Sequence, residues 1–240
     1  MKTLITVLCV GAIPALAAPA CVSGTYASYQ ALAGGCSIGD ATFSNFSGLT
    51  FLNSPGVPAL TASEIEVIPS STATSDLLTF VYLNAAGAPT PVTVNTNGQV
   101  FSFGMSYQIV VTPSALTGIQ MSSTYGNTMP GSISASKTIQ PVGGGPMVTS
   151  TVTDAGTNHV MATYNGLVVP VSGVGAFLVT DTTSLQAQTG VVTEAGFANT
   201  FNIGPFAPTP EIASQAMIGG GLVFLSLLAN SMRKRKRAKS

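Results

Sequence analysis

The feature that most constrains the fold is a two-residue alternation in the segment QVFSFGMSYQIVVTP, residues 99–113. Large apolar side chains alternate there with small ones, at Phe101, Phe103, Met105 and Tyr107. Because successive side chains of a β-strand point to opposite faces, the pattern predicts a strand with one buried face and one face of small residues. Pro113 has no amide hydrogen to donate to a neighbouring strand, so the strand is predicted to end there.

Further strand-like runs lie on both sides of this segment, at intervals of about ten residues. Pairs and triplets of Gly and Asn separate them and predict turns, because both residues tolerate positive φ angles, at 97–98, 126–127, 143–145 and 165–166. One candidate helix, PALTASEIEVIPS, has Thr61 or Ser63 as its cap and is limited by Pro69, and its β-branched residues fit a strand as well. The sequence therefore predicts an all-β protein with a single β-sandwich, jelly-roll or immunoglobulin-like.

The charges are placed very unevenly along the 240 residues, of which only 7% are charged. Between residues 21 and 209 the chain has seven acidic residues and one basic residue, Lys137. Nucleic-acid binding depends on Lys and Arg contacts to phosphates, so this composition excludes nucleic acid as a partner of the body.

The N-terminus is typical of a secretory signal peptide, predicted at residues 1–20. Lys2 precedes the apolar run LITVLCVGAI, and the small residues PALAAPA follow it. Small-x-small patterns place the cut after Ala17 or after Ala20, and the sequence leaves both open. The exported domain is predicted at 21–208.

Two cysteines remain once the signal peptide is removed, Cys21 and Cys36. An even number in an exported chain predicts a disulfide, which would contribute about 3 kcal/mol by closing a loop of this length. The alternatives are two free thiols, or no role for Cys21 at a frayed end. With a single histidine in the chain, these residues cannot build a standard structural zinc site, and no metal or other cofactor is predicted.

Candidate catalytic groups are few. His159 is the one histidine and follows the turn-like sequence DAGTN, which favours local hydrogen bonding over a catalytic role. Glu64 and Glu66 would share a face of a strand and could form a carboxylate pair of the glycosidase kind. Asp154 and Asp181 are acidic but lack a repeated calcium-binding loop, so single acidic turn residues are the better interpretation. We therefore expect no enzymatic activity.

Carbohydrate binding stays open as an alternative. The chain has no Trp to stack on a sugar ring, but six tyrosines could do so, at Tyr26, Tyr29, Tyr82, Tyr107, Tyr125 and Tyr164. Tyrosines in a β-protein also need no special explanation.

The last segment, 209–240, combines a Pro-Glu pair, an uncharged run and a basic end. The run at 215–232 would rise about 27 Å as a helix, near the lower limit for crossing a bilayer. Clustered basic residues stay on the cytoplasmic side of a membrane. Here they form the tail 233–240, with Arg233, Lys234, Arg235, Lys236, Arg237 and Lys239. A transmembrane helix with a cytoplasmic tail is predicted, and a permanent single-pass anchor is the plain interpretation.

The order of these elements resembles the PEP-CTERM sorting signal of Gram-negative bacteria. Pro210 and Glu211 match the first two motif positions within 209–214, and Ile212 stands where the family usually has Pro. The resemblance implies an inner membrane-anchored precursor that an integral-membrane enzyme, an exosortase, recognises and processes. It also implies a link to exopolysaccharide and a final location at the cell surface or in the extracellular matrix.

The segment ACVSGTYASYQALAGGCSIGDATFSNFSGL is similar to the start of many PEP-CTERM exported proteins without an assigned activity. This second resemblance supports the Cys21–Cys36 pairing and implies no catalysis. The expected function is therefore a non-enzymatic exported surface or extracellular-matrix protein. The alternative is an exopolysaccharide-binding module held at the cell surface by a permanent anchor.

Overall fold

The computed structural model describes residues 18–95, 98–128, 131–155 and 158–204, without the side chains of 172–174. In this part of the chain the structure is all-β, as predicted, and the strands pair antiparallel. The elements are β1 Gly24–Thr25, α1 Tyr26–Gln30, β2 Cys36–Ile38, β3 Ala41–Asn53, β4 Ile65–Ser71, β5 Ser75–Tyr82, β6 Val92–Val94, β7 Val100–Asn127, β8 Gly131–Pro141, β9 Val148–Ala155, β10 His159–Asn165, β11 Val169–Ala187 and β12 Val192–Gly204.

The long strand β7 belongs to both layers of a sandwich. Its first half pairs with β3 and β11 and builds the order β2-β3-β7-β11-β8-β9. Its second half pairs with β12, with β10 and with the start of β11, and builds the order β1-β4-β5-β12-β7-β10. The short strand β6 lies beside the start of β12.

The prediction that Pro113 ends the strand is wrong. The chain continues to Asn127 because Pro113 lies where β7 changes partners, between the paired residues Val111 and Ala115. The missing amide hydrogen of Pro113 therefore costs no hydrogen bond in the β3–β7 pairing or in the β7–β12 pairing.

The core lies between the two layers and is built largely from aromatic rings. The alternation at 99–113 buries Phe101, Phe103, Met105 and Tyr107, as expected. The ring centroids of Phe103 and Phe197 are 5.7 Å apart, and those of Phe43 and Phe201 are 5.5 Å apart. These pairs join strands of different layers, so the β-sandwich prediction is confirmed.

Local predictions fared differently. The glycines at 143–145 lie in the connection from β8 to β9, and Gly166 begins the connection from β10 to β11, as expected. The predicted turn at 126–127 is wrong, because both residues belong to β7. A Cβ on Gly126 would lie 2.9 Å from the amide nitrogen of Met161, so this glycine allows β10 to approach β7 closely.

Two short helical turns also appear. The helix α1 was missed because five residues are too few to show a helical period; the Thr25 hydroxyl caps it by accepting a hydrogen bond from the Ser28 amide. The ambiguous segment PALTASEIEVIPS resolves into one 3₁₀ turn at Ala62–Glu64 followed by β4.

The disulfide between Cys21 and Cys36 is present, with the two Cα atoms 4.8 Å apart. It joins the start of the described chain to β2. Residues 1–17, the motif residues Pro210 and Glu211, the run 215–232 and the tail 233–240 lie outside the described residues, so the predicted ends remain predictions. No helix in the described ranges has the length and apolar character needed to cross a membrane.

Candidate functional site

A cleft of about 560 Å³ opens where the end of β7 meets the start of β10. It is lined by Asn127, Thr128, Asn158, His159 and Val160. A smaller adjoining hollow of about 210 Å³ extends it toward Met161, Val191 and Thr193. Both hollows depend on the β7–β10 pairing, in which His159 lies opposite Asn127.

Two side chains of the cleft are held in fixed orientations. The Asn127 amide donates through Nδ2 to Asp154 Oδ2 at 3.0 Å, and its Oδ1 accepts from the His159 backbone amide at 2.8 Å. Asp154 Oδ1 in turn lies 3.2 Å from Nε2 of His159. The carboxylate of Asp154, at the end of β9, therefore positions both Asn127 and His159.

An aromatic group packs around His159, one of the residues that line the cleft. The Tyr125 and Tyr164 ring centroids are 4.5 Å apart, and the His159 and Tyr164 rings meet edge to face at 4.9 Å. The Tyr164 hydroxyl donates to the Val160 carbonyl at 3.0 Å. Tyr125 is buried, whereas Tyr164 and His159 are half-buried.

The residues around the cleft include both hydrogen-bond donors and acceptors, next to the half-buried side chain of Tyr164. Concave sites with a few oriented polar groups are the usual setting for small-molecule recognition. Within the described ranges, no group of three or more His, Cys, Asp or Glu side chains is placed to hold a metal ion.

The tyrosines considered for sugar stacking are mostly inaccessible. Tyr164 alone among the six keeps partial exposure, and the other five are buried, namely Tyr26, Tyr29, Tyr82, Tyr107 and Tyr125. A stacking role is therefore available to Tyr164.

The carboxylate pair considered at Glu64 and Glu66 does not form on one strand face. Glu64 closes the 3₁₀ turn, where its Oε2 accepts from the Thr61 amide at 2.8 Å and from the Thr61 hydroxyl at 2.9 Å. Glu66 lies on β4 and pairs through its backbone with Val81. The two carboxylates therefore have separate local roles.

The pentapeptide GCSIG at 35–39 matches the Gly-x-Ser-x-Gly pattern of serine hydrolases, but its setting differs. That motif requires a strand-to-helix turn that exposes the serine. Here Ser37 lies inside β2, which continues into β3, and its hydroxyl donates to the carbonyl of Ala18 at 3.2 Å. The pentapeptide is therefore part of a β-hairpin.

A buried carboxyl group that the sequence did not reveal is Glu194 on β12. It accepts from the Ser123 hydroxyl at 2.6 Å, the Thr183 hydroxyl at 2.8 Å and the Tyr82 hydroxyl at 3.0 Å. Burial raises the pKa of Glu194 to about 7, and these three hydrogen bonds oppose the shift. The sequence signal that could have indicated its burial is its position in the alternating pattern of β12.

A second buried polar cluster contains Lys137, Asp181 and Asn199, on β8, β11 and β12. Of these, the sequence had singled out Asp181 as an acidic turn residue. That interpretation is wrong, because Asp181 pairs in the middle of β11 and has no exposed surface. Lys137 could have drawn attention as the one base between residues 21 and 209.

Comparison with known proteins identifies no family. No family model matches the chain, and no curated protein matches it. Among solved structures, the carbohydrate-binding module TmCBM61 in complex with β-1,4-galactotriose is similar at 10% identity, over 65% of this chain and 89% of that chain, with a TM-score of 0.33.

Two further similar structures differ in kind. The enzymatically active domain of tailspike protein 4 from bacteriophage CBA120 matches at 14% identity, over 66% of this chain and 19% of that chain, with a TM-score of 0.29. A carbohydrate-binding module of the β-sandwich superfamily matches at 10% identity, over 65% of this chain and 85% of that chain, with a TM-score of 0.20. TM-scores this low carry no argument about the function of this chain.

Proposed function

We propose that this chain is a non-catalytic exported protein whose β-sandwich binds polysaccharide at the β7–β10 cleft. The observation that carries the proposal is the cleft itself, where Asp154 holds Asn127 and His159 in fixed orientations and the half-buried Tyr164 packs against His159. Preorganised polar groups lose little conformational entropy when a ligand binds.

The chemistry of the cleft fits sugar hydroxyls. A sugar hydroxyl both donates and accepts hydrogen bonds, and the lining includes residue types with the same two capacities, Asn158 and Thr128. The half-buried ring of Tyr164 supplies an apolar face for the C–H groups of a sugar. Because the body of the chain has seven acids and one base, a neutral polysaccharide is favoured over a strongly acidic one.

Binding to purified polysaccharides by the mature protein tests this proposal, with Tyr164→Ala and Tyr164→Phe as a matched pair. We expect Tyr164→Ala to weaken binding about 10-fold, since it removes the ring. Tyr164→Phe keeps the ring and loses the hydrogen bond to Val160, so it should bind within about twofold of the wild type. Equal affinity of Tyr164→Ala and wild type would contradict a site at this cleft.

The route of export is proposed on the order of the sequence elements. The signal peptide directs the body outward, the segment 215–232 holds a precursor in the inner membrane, and an exosortase-type enzyme processes it at Pro210–Glu211. The protein then reaches the cell surface or the extracellular matrix, where exopolysaccharide is the proposed ligand.

A C-terminal tag on the full chain tests the sorting step in cells with and without an exosortase. We expect loss of the tag only in cells with the enzyme, and retention of the tag in the Glu211→Ala variant. A tag retained on the mature wild-type protein in both cells would leave a permanent single-pass anchor as the role of the segment.

A further inference from the structure

Lys137 is a buried amine in the centre of the sandwich. It has no exposed surface, and its Nζ donates to the Thr200 carbonyl at 2.9 Å and lies 4.1 Å from the centre of the Phe201 ring. Among the described residues, no carboxylate oxygen lies within 4.0 Å of this Nζ. An ionised lysine in such a place would lack a counter-ion at contact distance, which is costly.

Asp181 and Asn199 complete the cluster. Asp181 lies directly opposite Lys137 in the β8–β11 ladder and is fully buried. Its Oδ2 accepts from Nδ2 of Asn199 at 2.5 Å, and the same Nδ2 donates to the Tyr107 hydroxyl at 2.7 Å. Oδ1 of Asp181 and Oδ1 of Asn199 have no hydrogen-bond partner, and unsatisfied buried polar atoms of this kind are rare in folded proteins.

Strand geometry places the Lys137 amine against the part of β12 that follows Asn199. Asn199 and Phe201 are two residues apart on β12, so both side chains point into the core, about 6.6 Å apart along the strand. Nζ of Lys137 has two contacts there: the carbonyl of Thr200, which lies between Asn199 and Phe201 in the chain, and the Phe201 ring. Thr200 follows Asn199 directly in the chain, so Nζ contacts the residue next to Asn199 along β12.

We propose that Lys137 and Asn199 react to form an intramolecular isopeptide bond that joins β8 to β12, with Asp181 as the group that transfers the proton. This covalent modification needs no other enzyme and is independent of the polysaccharide cleft.

The protonation states suit the reaction. Desolvation lowers the pKa of Lys137, which favours the neutral amine, the nucleophilic form. Desolvation also raises the pKa of Asp181, which favours the protonated carboxyl group. The buried interior of the sandwich therefore favours both a nucleophile and an acid.

The step balances without a further reactant. Nζ attacks Cγ of Asn199, the new C–N bond forms, and the carbonyl electrons move to Oδ1. The proton of Asp181 passes to Nδ2, the C–Nδ2 bond breaks as the carbonyl re-forms, and ammonia leaves. The Asp181 carboxylate then takes a proton from Nζ and is restored. The net change is the loss of one ammonia, about 17 Da.

Trypsin offers a direct test, because it cleaves after Lys and Arg and Lys137 is the one such residue between 21 and 209. The full chain is purified, denatured and reduced. The mass of the intact chain is measured on one portion, and another portion is digested with trypsin. We expect no cleavage after Lys137 and a mass about 17 Da below that of the sequence with its cysteines reduced. Complete cleavage after Lys137, together with the full mass expected from the sequence, would overturn the proposal.

Two variants assign the partner. Asn199→Ala should restore both cleavage after Lys137 and the full mass, whereas Asn202→Ala, on the same strand and partly exposed, should leave the bond intact. A bond that persists in Asn199→Ala, or a loss of water at Asp181 in place of ammonia, would overturn the assignment. Because the wild-type digest is made on denatured chain, it decides the matter even where Asn199→Ala fails to fold.

Discussion

Lys137 on β8 lies directly opposite Asp181 on β11, and neither side chain has any exposed surface. Glu194 is also fully buried, and Asp76 nearly so. The sandwich therefore keeps carboxyl groups in its interior, where their protonation is linked to folding. The stability of the domain should depend on pH for this reason.

The pH dependence should be dominated by carboxyl groups with raised pKa values. Burial raises the pKa of Glu194 from 4.5 to about 7, and burial, with a smaller contribution from Asp40, raises that of Asp76 to about 6. The folded state thus holds protons that the unfolded state releases, so the free energy of unfolding should fall as pH rises from about 4.5 to 7. Glu194 alone would contribute roughly 3 kcal/mol or less.

Urea unfolding at several pH values measures how steeply the free energy of unfolding falls with pH. Glu194→Gln keeps the side-chain volume and removes the titration, so its slope should be clearly shallower than that of the wild type. Glu66→Gln, on the partly exposed side of β4, serves as the matched control and should change nothing. Equal slopes for Glu194→Gln and wild type would show that Glu194 does not titrate in this range.

The disulfide should contribute to stability by restricting the unfolded chain. Cys21 and Cys36 are separated by 15 residues, and opening a loop of that length should lower the free energy of unfolding by about 3 kcal/mol. The double variant Cys21→Ala/Cys36→Ala and the reduced wild type should lose similar amounts in urea titrations. A wild-type midpoint that does not respond to reductant would contradict this prediction.

The signal-peptide cut should fall after Ala17. Residues 18–20, which lie between the two candidate cuts, contact β2. The Ser37 amide donates to the Pro19 carbonyl at 2.7 Å, and Ala20 pairs with Ser37. Cleavage after Ala20 would remove these contacts. Terminal sequencing of the exported protein should therefore begin at Ala18, and a start at Cys21 would contradict it.

Much of the fold could be predicted from local pattern, but not the change of partners along β7. The two-residue alternation reports which side chains are buried, and it correctly identified Phe101 to Tyr107. The prediction for Pro113 is wrong because a missing amide hydrogen costs an inter-strand hydrogen bond only where a neighbouring strand pairs with that residue. Such pairing is set by strands distant in sequence, which no local window contains.

The candidate cleft was only partly accessible from the sequence. His159 was recognised as a hydrogen-bonding residue at the edge of a turn, and Tyr164 as one of six tyrosines. Asn127 was assigned to a turn, whereas it pairs with His159 across 32 positions. Lys137 was noticed only as an isolated charge, because its burial depends on Asp181, Thr200 and Phe201 from other strands.

The central claim is that polysaccharide binds where β7 meets β10. Amide hydrogen exchange of the mature protein, measured with and without the exopolysaccharide of the producing cell, tests it most directly. We expect slower exchange confined to residues 122–128 and 158–164. Unchanged exchange in both segments at saturating polysaccharide, or protection elsewhere on the sandwich, would contradict the account.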